Sequence, residues 1–425
     1  MMFYKEASLD ETQIGGTPKD WKIVKLRDVC ELRPGRSKKA IKAKEVAFIP
    51  MELIPEDGVY VDFEMRDLNG VSSCTYCEPG DILLAKITPS LENGKQGVVP
   101  NNIPYGFGLA TTEVFPIVSR DIDRMFLFYS LRFRKYRAVI EASMRATTGR
   151  LRVPKDALLN LRISPPRSTE EQREVARVLS TLDEAIQRTN EIIVKTERLK
   201  KGLMQELLTK GIGHKEFRDT DIGTIPRQWK ASTVGRECIV GTGGTPSRKH
   251  AEYFGGSIPW VKSTEVDYGV ITRTEERITE LGLQNSNAKI HPKGTLVMAM
   301  YGQGITRGKC AILGVDAAIN QACAAITPRN SDIIYIPYLY HWCQSRYEHI
   351  RNLGQGANQP NLNLSLVRSV KVALPSFPEQ RRIAQTLSTA DKKLELERDE
   401  KAKLERIKRG VMDLLLTGKI RVRVS

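Results

Sequence analysis

The chain has 425 residues, with 66 Lys and Arg against 50 Asp and Glu and a formal net charge of +16. At roughly 100 to 200 residues per domain it is too long for one ordinary core, and a charge of this size points to a polyanionic partner such as nucleic acid. Seven cysteines, an odd number without a secretory leader, argue against a disulfide framework, and no run approaches the roughly 18 uncharged apolar residues of a membrane span; a cytoplasmic protein with no membrane partner is the expectation.

In chain order, the first landmark is "IGGTPKDWK" (Ile14 to Lys22), whose Trp21 reads as a packing residue. Cys74 and Cys77 have zinc-ligand spacing, but no second Cys or His pair stands at a suitable distance, so no metal site is expected. The stretch "GDILLAKITPSLENGKQGVV" is an apolar strand-like run followed by a polar, Gly-containing turn, and "RATTGRLR" (Arg145 to Arg152) precedes a final apolar run.

Next comes "EEQREVARVLSTLDEAI" (Glu170 to Ile186). Ser168 or Thr169 supplies a cap and the early acids suit the positive end of a helix dipole. Leu179, Leu182, Ile186 and Ile193, resumed by Leu199, Leu203 and Leu207, form one apolar stripe, punctuated by Thr189 and Thr196. No proline interrupts residues 170 to 210, so one helix of roughly 40 residues, about 60 Å long, is predicted.

The second half then repeats the first. "IGTIPRQWK" (Ile222 to Lys230) faces "IGGTPKDWK", and "PEQRRIAQTLSTADKKL" (Pro378 to Leu394) faces the helix start. Gln172 falls on Gln380, an offset of about 208 residues that also pairs Arg198, Lys200, Gly202 and Met204 with Arg406, Lys408, Gly410 and Met412. Leu387, Ala390, Leu394, Leu404, Val411 and Leu415 give the second helix its stripe, with Glu397 and Lys401 as polar interruptions. Two long helices with such stripes predict a coiled coil between the two copies, and because the chain travels out through a globular insert and returns, an antiparallel one is expected; periodicity alone does not fix orientation, and a parallel or intermolecular coil is the alternative. If the chain ends lie close together, the N-terminal arm would continue the second helix as residues 213 to 221 continue the first. Between the anchors the halves share few identities, as "GTLVMAMYGQGITRGKCAIL" shows, so one frame carries two different inserts.

Catalytic motifs are not found. "GQGITRGKC" (Gly302 to Cys310) has the wrong spacing for a phosphate loop and no Ser or Thr after its lysine, and reads as a hairpin or surface loop. None of the five histidines lies in an H-E-x-x-H helix. The charge run "RDEKAKLERIKR" reads as the solvated face of the second helix.

Two copies of an "EQ-R-IA--LS--D" helix start, each ending in "K-G-M--LLT-G"-like sequence and each preceded by a variable region opened by "IG--P--W", resemble the specificity subunit of type I restriction-modification systems over essentially the whole chain. The resemblance implies an α+β fold with two target recognition domains in inverted orientation, joined by the antiparallel helices and related by a pseudo-twofold repeat. It places the first recognition domain with its arm at 1–165, a spacer helix at 166–212, the second recognition domain at 213–374, and the second spacer helix with its tail at 375–425. It further implies a non-catalytic subunit that reads a bipartite double-stranded DNA target and docks two methylation subunits, with restriction subunits joining that core. S-adenosylmethionine, and ATP with Mg where a restriction subunit is present, would belong to those partners, and this chain would carry no cofactor. A stand-alone DNA-modifying enzyme and a coiled-coil scaffold are the alternatives; the first lacks a catalytic constellation and the second leaves the charge unexplained.

Polar, Gly-containing loops supply the candidate DNA contacts. In the first half these are Lys86, Thr88, Ser90, Asn93 and Lys95, with Arg145, Thr147, Thr148, Arg150 and Arg152. The second half offers Lys262, Tyr301, Gln303, Thr306, Arg307 and Lys309, with Gln355, Asn358, Gln359 and Asn361 in "GQGANQPN".

Overall fold

The structure is a computed structural model that describes all residues except Met1, Ala7, Gln13, 36–42, Ser72, Thr148, 303–304, 355–360 and 424–425. The chain divides into two compact units, residues 1–191 with 398–425, and residues 192–397.

In the first unit, strand Met2–Lys5 pairs antiparallel with Ile420–Arg423, so the described N- and C-terminal segments meet, as the circular reading of the repeat expects. Strands Leu9–Thr12 and Gly15–Pro18 form a hairpin. The recognition half holds two four-stranded sheets. One runs Gln96–Val98, Ile82–Ala85, Val114–Ser119, Cys30–Leu32, with antiparallel neighbours; the other runs Glu64–Asp67, Glu45–Ile49, Gly108–Ala110, Thr75–Cys77, with a parallel central pair. The uninterrupted apolar run Ile82–Ala85 is buried on both faces, which explains why it does not alternate. Helix Arg124–Arg132 is capped by Asp123, whose carboxylate accepts from the Met125 and Phe126 amides at 3.0 and 2.9 Å.

The second unit repeats this strand order despite few sequence identities. Its sheet Glu276–Ile278, Phe254–Val261, Ala317–Ile319, Ile290–His291 again has a parallel central pair. Cys310–Leu313, Leu296–Ala299, Cys323–Pro328 and Cys238–Thr242 form the antiparallel set, with Val270–Ile271 added at one edge. The inserts therefore differ in side chains while sharing a topology. The segment "GQGITRGKC" joins two antiparallel neighbours, Leu296–Ala299 and Cys310–Leu313, as the hairpin reading expects.

Helices Thr169–Leu207 and Phe377–Leu416 contain 39 and 40 residues. Ser168 Oγ accepts from the Glu171 amide at 3.4 Å. Within the first unit the helices run antiparallel, because Asp183 meets Lys408 at 2.5 Å and Asn190, further along, meets Lys401 at 2.9 Å, earlier in its own helix. Lys200 meets Asp391 at 2.5 Å within the second unit. The offset of the sequence repeat maps Asp183 on Asp391 and Lys200 on Lys408, so the two ion pairs are copies of one contact.

The stripe needs one correction. Ile193 is buried, but Leu199 is 60% exposed, while Thr189 and Thr196 are buried. The inward face steps from Ile186 through Thr189, Ile193 and Thr196 to Lys200, and Leu199 falls one residue to the side of it. Lys200 takes the inward position because Asp391 and the Gln344 amide oxygen, at 3.0 Å, receive its ammonium.

The repeated "EQ" also has a physical reason. Gln172 accepts from the Asp123 amide at 2.7 Å and donates to the Pro166 carbonyl at 2.8 Å. Gln380 accepts from the Tyr335 amide at 2.9 Å and donates to the Ile333 and Pro375 carbonyls. Each glutamine thus ties the start of a long helix to the recognition half before it. The preceding acids act alongside: Glu171 pairs with Arg421 at 2.8 Å, and Glu379 accepts from the Ile212 amide at 2.9 Å and the Trp229 indole at 3.2 Å. Trp21 and Trp229 are both buried, in keeping with a packing role.

Candidate nucleic-acid interface

In the first unit, two segments far apart in sequence come together. Val153 donates its amide to the Lys86 carbonyl at 2.8 Å, Thr88 donates to the Leu151 carbonyl at 3.1 Å, and the Leu151 amide returns a bond to Thr88 Oγ1 at 3.3 Å. The loop after Ile82–Ala85 therefore lies against a two-stranded ribbon, Arg145–Thr147 with Arg150–Arg152.

The second unit makes the equivalent join. Leu362 donates to the Met300 carbonyl at 3.0 Å, linking the loop after Leu296–Ala299 to the segment containing Asn361. Tyr347 Oη donates to the Ile305 carbonyl at 2.5 Å, and Gly308 lies so near the Arg351 backbone that an added Cβ would stand 3.3 Å from its nitrogen. The two candidate loops of each unit thus meet, at matching places in the two copies.

Individual candidates differ in what their side chains do. Lys95 donates to the Met51 and Ile54 carbonyls at 2.9 and 3.0 Å, Arg152 pairs with Glu113 at 2.7 Å, Lys262 pairs with Glu275 and Glu276 at 2.8 and 3.1 Å, and Lys309 pairs with Asp267 at 2.5 Å. These four hold the shape of their loops. Hydrogen bonds to Glu275 and Glu276 push the Lys262 ammonium above its ordinary value, whereas burial lowers that of Lys86. Ser90 and Arg307 are buried; Thr88, Thr306 and Asn361 are half-buried; Asn93, Arg145, Arg150 and Tyr301 are exposed. Thr147 lies in the ribbon's first strand, while Thr148, Gln303, Gln355, Asn358 and Gln359 lie outside the described residues.

Other polar residues join these loops and escaped the sequence reading. Thr245 Oγ1 donates to Gln321 Oε1, and Asn320 Oδ1 is buried without a hydrogen-bond partner among the described residues. Their loops meet because the Gly244 amide donates to the Ile319 carbonyl at 3.0 Å and the Trp260 indole to the Gly244 carbonyl at 3.0 Å. "NQ" between two apolar strands and "GGTPS" after another were the available signals. In the first half the segment from Arg33 to Lys44 carries six basic and no acidic residues, a charge run also passed over.

Among the described residues no group of three His, Cys, Asp or Glu side chains is placed to hold a metal ion, and burial pushes the Cys77 thiol up, away from the thiolate a metal takes. No helix among the described residues is long and apolar enough to cross a membrane. Away from the loops, the first unit has an apolar groove of about 600 Å³ whose lining includes Phe3, Val178, Leu182, Ile407, Val411 and Ile420.

The comparisons with known proteins agree with this architecture. The type I restriction modification DNA specificity domain matches residues 18–198 and again 226–406. Two relatives come from Methanocaldococcus jannaschii. The putative type I restriction enzyme MjaX specificity subunit is 27% identical across all of this chain and 99% of its own length, and the MjaVIII specificity subunit is 28% identical across all of this chain and 98% of its own. The crystal structure of a type I restriction-modification S subunit from M. genitalium aligns with a TM-score of 0.61 at 18% identity, covering 95% of this chain and 97% of that one, a likeness of fold. A chain from a type I restriction-modification assembly aligns with a TM-score of 0.54, also at 18% identity, covering 95% and 99%. The domain matches span most of both halves of the repeat, and the chain belongs to the family of type I restriction-modification DNA specificity subunits.

Proposed function

We propose that each unit reads one half of a split double-stranded DNA site, that the long helices set the gap, and that the chain performs no chemistry itself. The observation that carries this reading is the duplicated loop join: one topology brings two polar loops together in each copy, and their sequences differ, Arg-rich in "RATTGRLR" and Asn- and Gln-rich in "GQGANQPN". Two frames with different side chains suit two half-sites of different sequence, since arginine favours guanine edges and Asn or Gln favours adenine. Methylation would be supplied by two docked methylation subunits holding S-adenosylmethionine, and cleavage by restriction subunits using ATP with Mg.

The exposed apolar residues support docking of two copies. Ile407 and Leu199 are equivalent across the repeat and are 51% and 60% exposed. Ile407 lies in the apolar groove. Ile407→Glu and Leu199→Glu are each expected to weaken binding of the methylation subunit at one position, about tenfold or more, leaving a complex with one copy where the parent holds two. Native mass spectrometry reads that stoichiometry, and two retained copies in both variants would count against docking on this face.

The defining experiment maps methylated adenines in a host expressing the chain with its methylation subunit, against hosts expressing either alone. A new bipartite motif only in the pair supports the proposal; methylation by this chain alone overturns it. Inserting seven residues, about 10 Å, into both long helices at matched positions should widen the gap by roughly three base pairs and leave both half-sites intact. A changed half-site would contradict the ruler role.

A further inference from the structure

The ribbon of the first unit has features that a turn built only for folding does not need. Every described residue from Arg145 to Leu151 whose exposure is defined is solvent-exposed, on both faces and both strands. A two-stranded ribbon with neither face covered is marginal on its own. It is rooted by the bonds from Leu151 and Val153 to Thr88 and Lys86, and by the bridge between Ile87 and Arg152. No acidic residue lies between Glu141 and Asp156, whereas Arg145, Arg150, Arg152 and Lys155 do. Arg152 is held by Glu113. Leu151, an exposed leucine at 43%, stands between Arg150 and Arg152.

A surface that is uncovered, basic and carries the exposed apolar side chains of Ala146 and Leu151 fits a polyanion that also presents apolar edges. The DNA major groove, about 12 Å wide, admits a two-stranded ribbon and presents a distinct pattern for each base pair, whereas the minor groove, about 6 Å wide, distinguishes little beyond A·T from G·C. Major-groove edges also match these side chains: guanine offers O6 and N7 to an arginine, and thymine offers its methyl group to an apolar contact.

We propose that the ribbon formed by Arg145–Thr147 and Arg150–Arg152 enters the major groove of one half-site with its two faces toward the two walls of the groove, so that Arg150 lies on a guanine edge and Leu151, on the opposite face, against a neighbouring base edge. This deepens the specificity reading and rests on it. Lys86 lies beside the ribbon as a phosphate-side charge, and Arg152 is the positioning residue that Glu113 fixes.

The test uses the full chain with its methylation subunit and compares methylated motifs of the parent, Arg150→Ala, Arg150→Lys and Leu151→Ala. Arg150→Ala should relax one guanine position in one half-site, lowering discrimination there about tenfold or more, while the gap and the other half-site stay as in the parent. Leu151→Ala should relax an adjacent position of the same half. Arg150→Lys should retain more affinity than discrimination, because a point charge replaces a bidentate fork. Binding measured on duplexes with 7-deazaguanine in that half-site should fall for the parent and be indifferent for Arg150→Ala.

An unchanged motif, or weakening spread evenly over all positions, would overturn the ribbon proposal and leave the specificity reading standing. Absence of any bipartite motif from the parent complex would instead overturn the specificity reading itself. Arg150 is exposed, so a thermal melt matching the parent's should accompany each result.

Discussion

Asp183→Ala is expected to destabilise the first unit by about 3–5 kcal/mol, the scale for removing one partner of a buried ion pair. The Asp183 side chain is 8% exposed and receives both the Lys408 ammonium at 2.5 Å and the Tyr129 hydroxyl at 2.8 Å. Alanine would leave a cation and a phenol in a dry contact between the helices. The repeat supplies an internal control: Asp391 is 31% exposed, and Lys200 keeps the Gln344 amide oxygen if Asp391 is lost. Asp391→Ala should therefore cost only about 1 kcal/mol, closer to the surface range. Hydrogen exchange resolved along the chain during urea unfolding would assign each loss to its unit. Equal losses in the two variants would contradict the burial argument. Replacing Asp183, Lys408 and Tyr129 together with Leu, Met and Phe should be near neutral, since the cost lies in an uncompensated charge.

The same contact marks how far the sequence was legible. Ser168, the early acids and the absence of proline located both helices to within a few residues, because capping and helix propagation are local properties. The repeat suggested the pairing of the helices, and their antiparallel sense in the first unit follows from Asp183 meeting Lys408 while Asn190 meets Lys401. Leu199 was assigned inward because apolar identity outweighed a one-residue phase error. The deciding fact, an Asp391 carboxylate waiting for Lys200, sits about 190 residues away in the chain.

The interface was legible as loops and less so as side chains. Gly, Asn, Thr and Arg clusters mark where backbone leaves a strand, which is local information. Whether a lysine in such a cluster faces solvent depends on carbonyls and carboxylates from other segments. Lys95 meets Met51 and Ile54, and Lys309 meets Asp267, so both are used within the fold. Asn320 and Gln321 went unnoticed because two polar residues between apolar strands look like an ordinary turn. The Thr245 contact and the Asn320 oxygen, without a hydrogen-bond partner among the described residues, single them out.

Stability of the second unit should also fall with acid through His341. This imidazole is fully buried, its Nε2 lies 3.0 Å from Ser388 Oγ, and its Nδ1 has no hydrogen-bond partner among the described residues. Burial pushes its pKa down to about 4; Asp391, whose carboxylate lies 3.9 Å from Nδ1, and the Gln344 side chain oppose that shift, and Lys200 adds to it. In the unfolded chain a histidine takes up its proton near pH 6.5, while the folded chain keeps His341 neutral until about pH 4. Its contribution is therefore fully present above pH 6.5 and is lost as the pH falls from there through 4, with a total of about 3 kcal/mol at 1.36 kcal/mol per unit. Three of the four tryptophans, Trp229, Trp260 and Trp342, lie in this unit, so indole fluorescence in urea reports mainly on it. His341→Gln can keep a polar contact with Ser388 and cannot titrate. The parent should lose about 3 kcal/mol relative to that variant between pH 7 and pH 4, and parallel pH profiles would show that His341 is not held neutral by its surroundings.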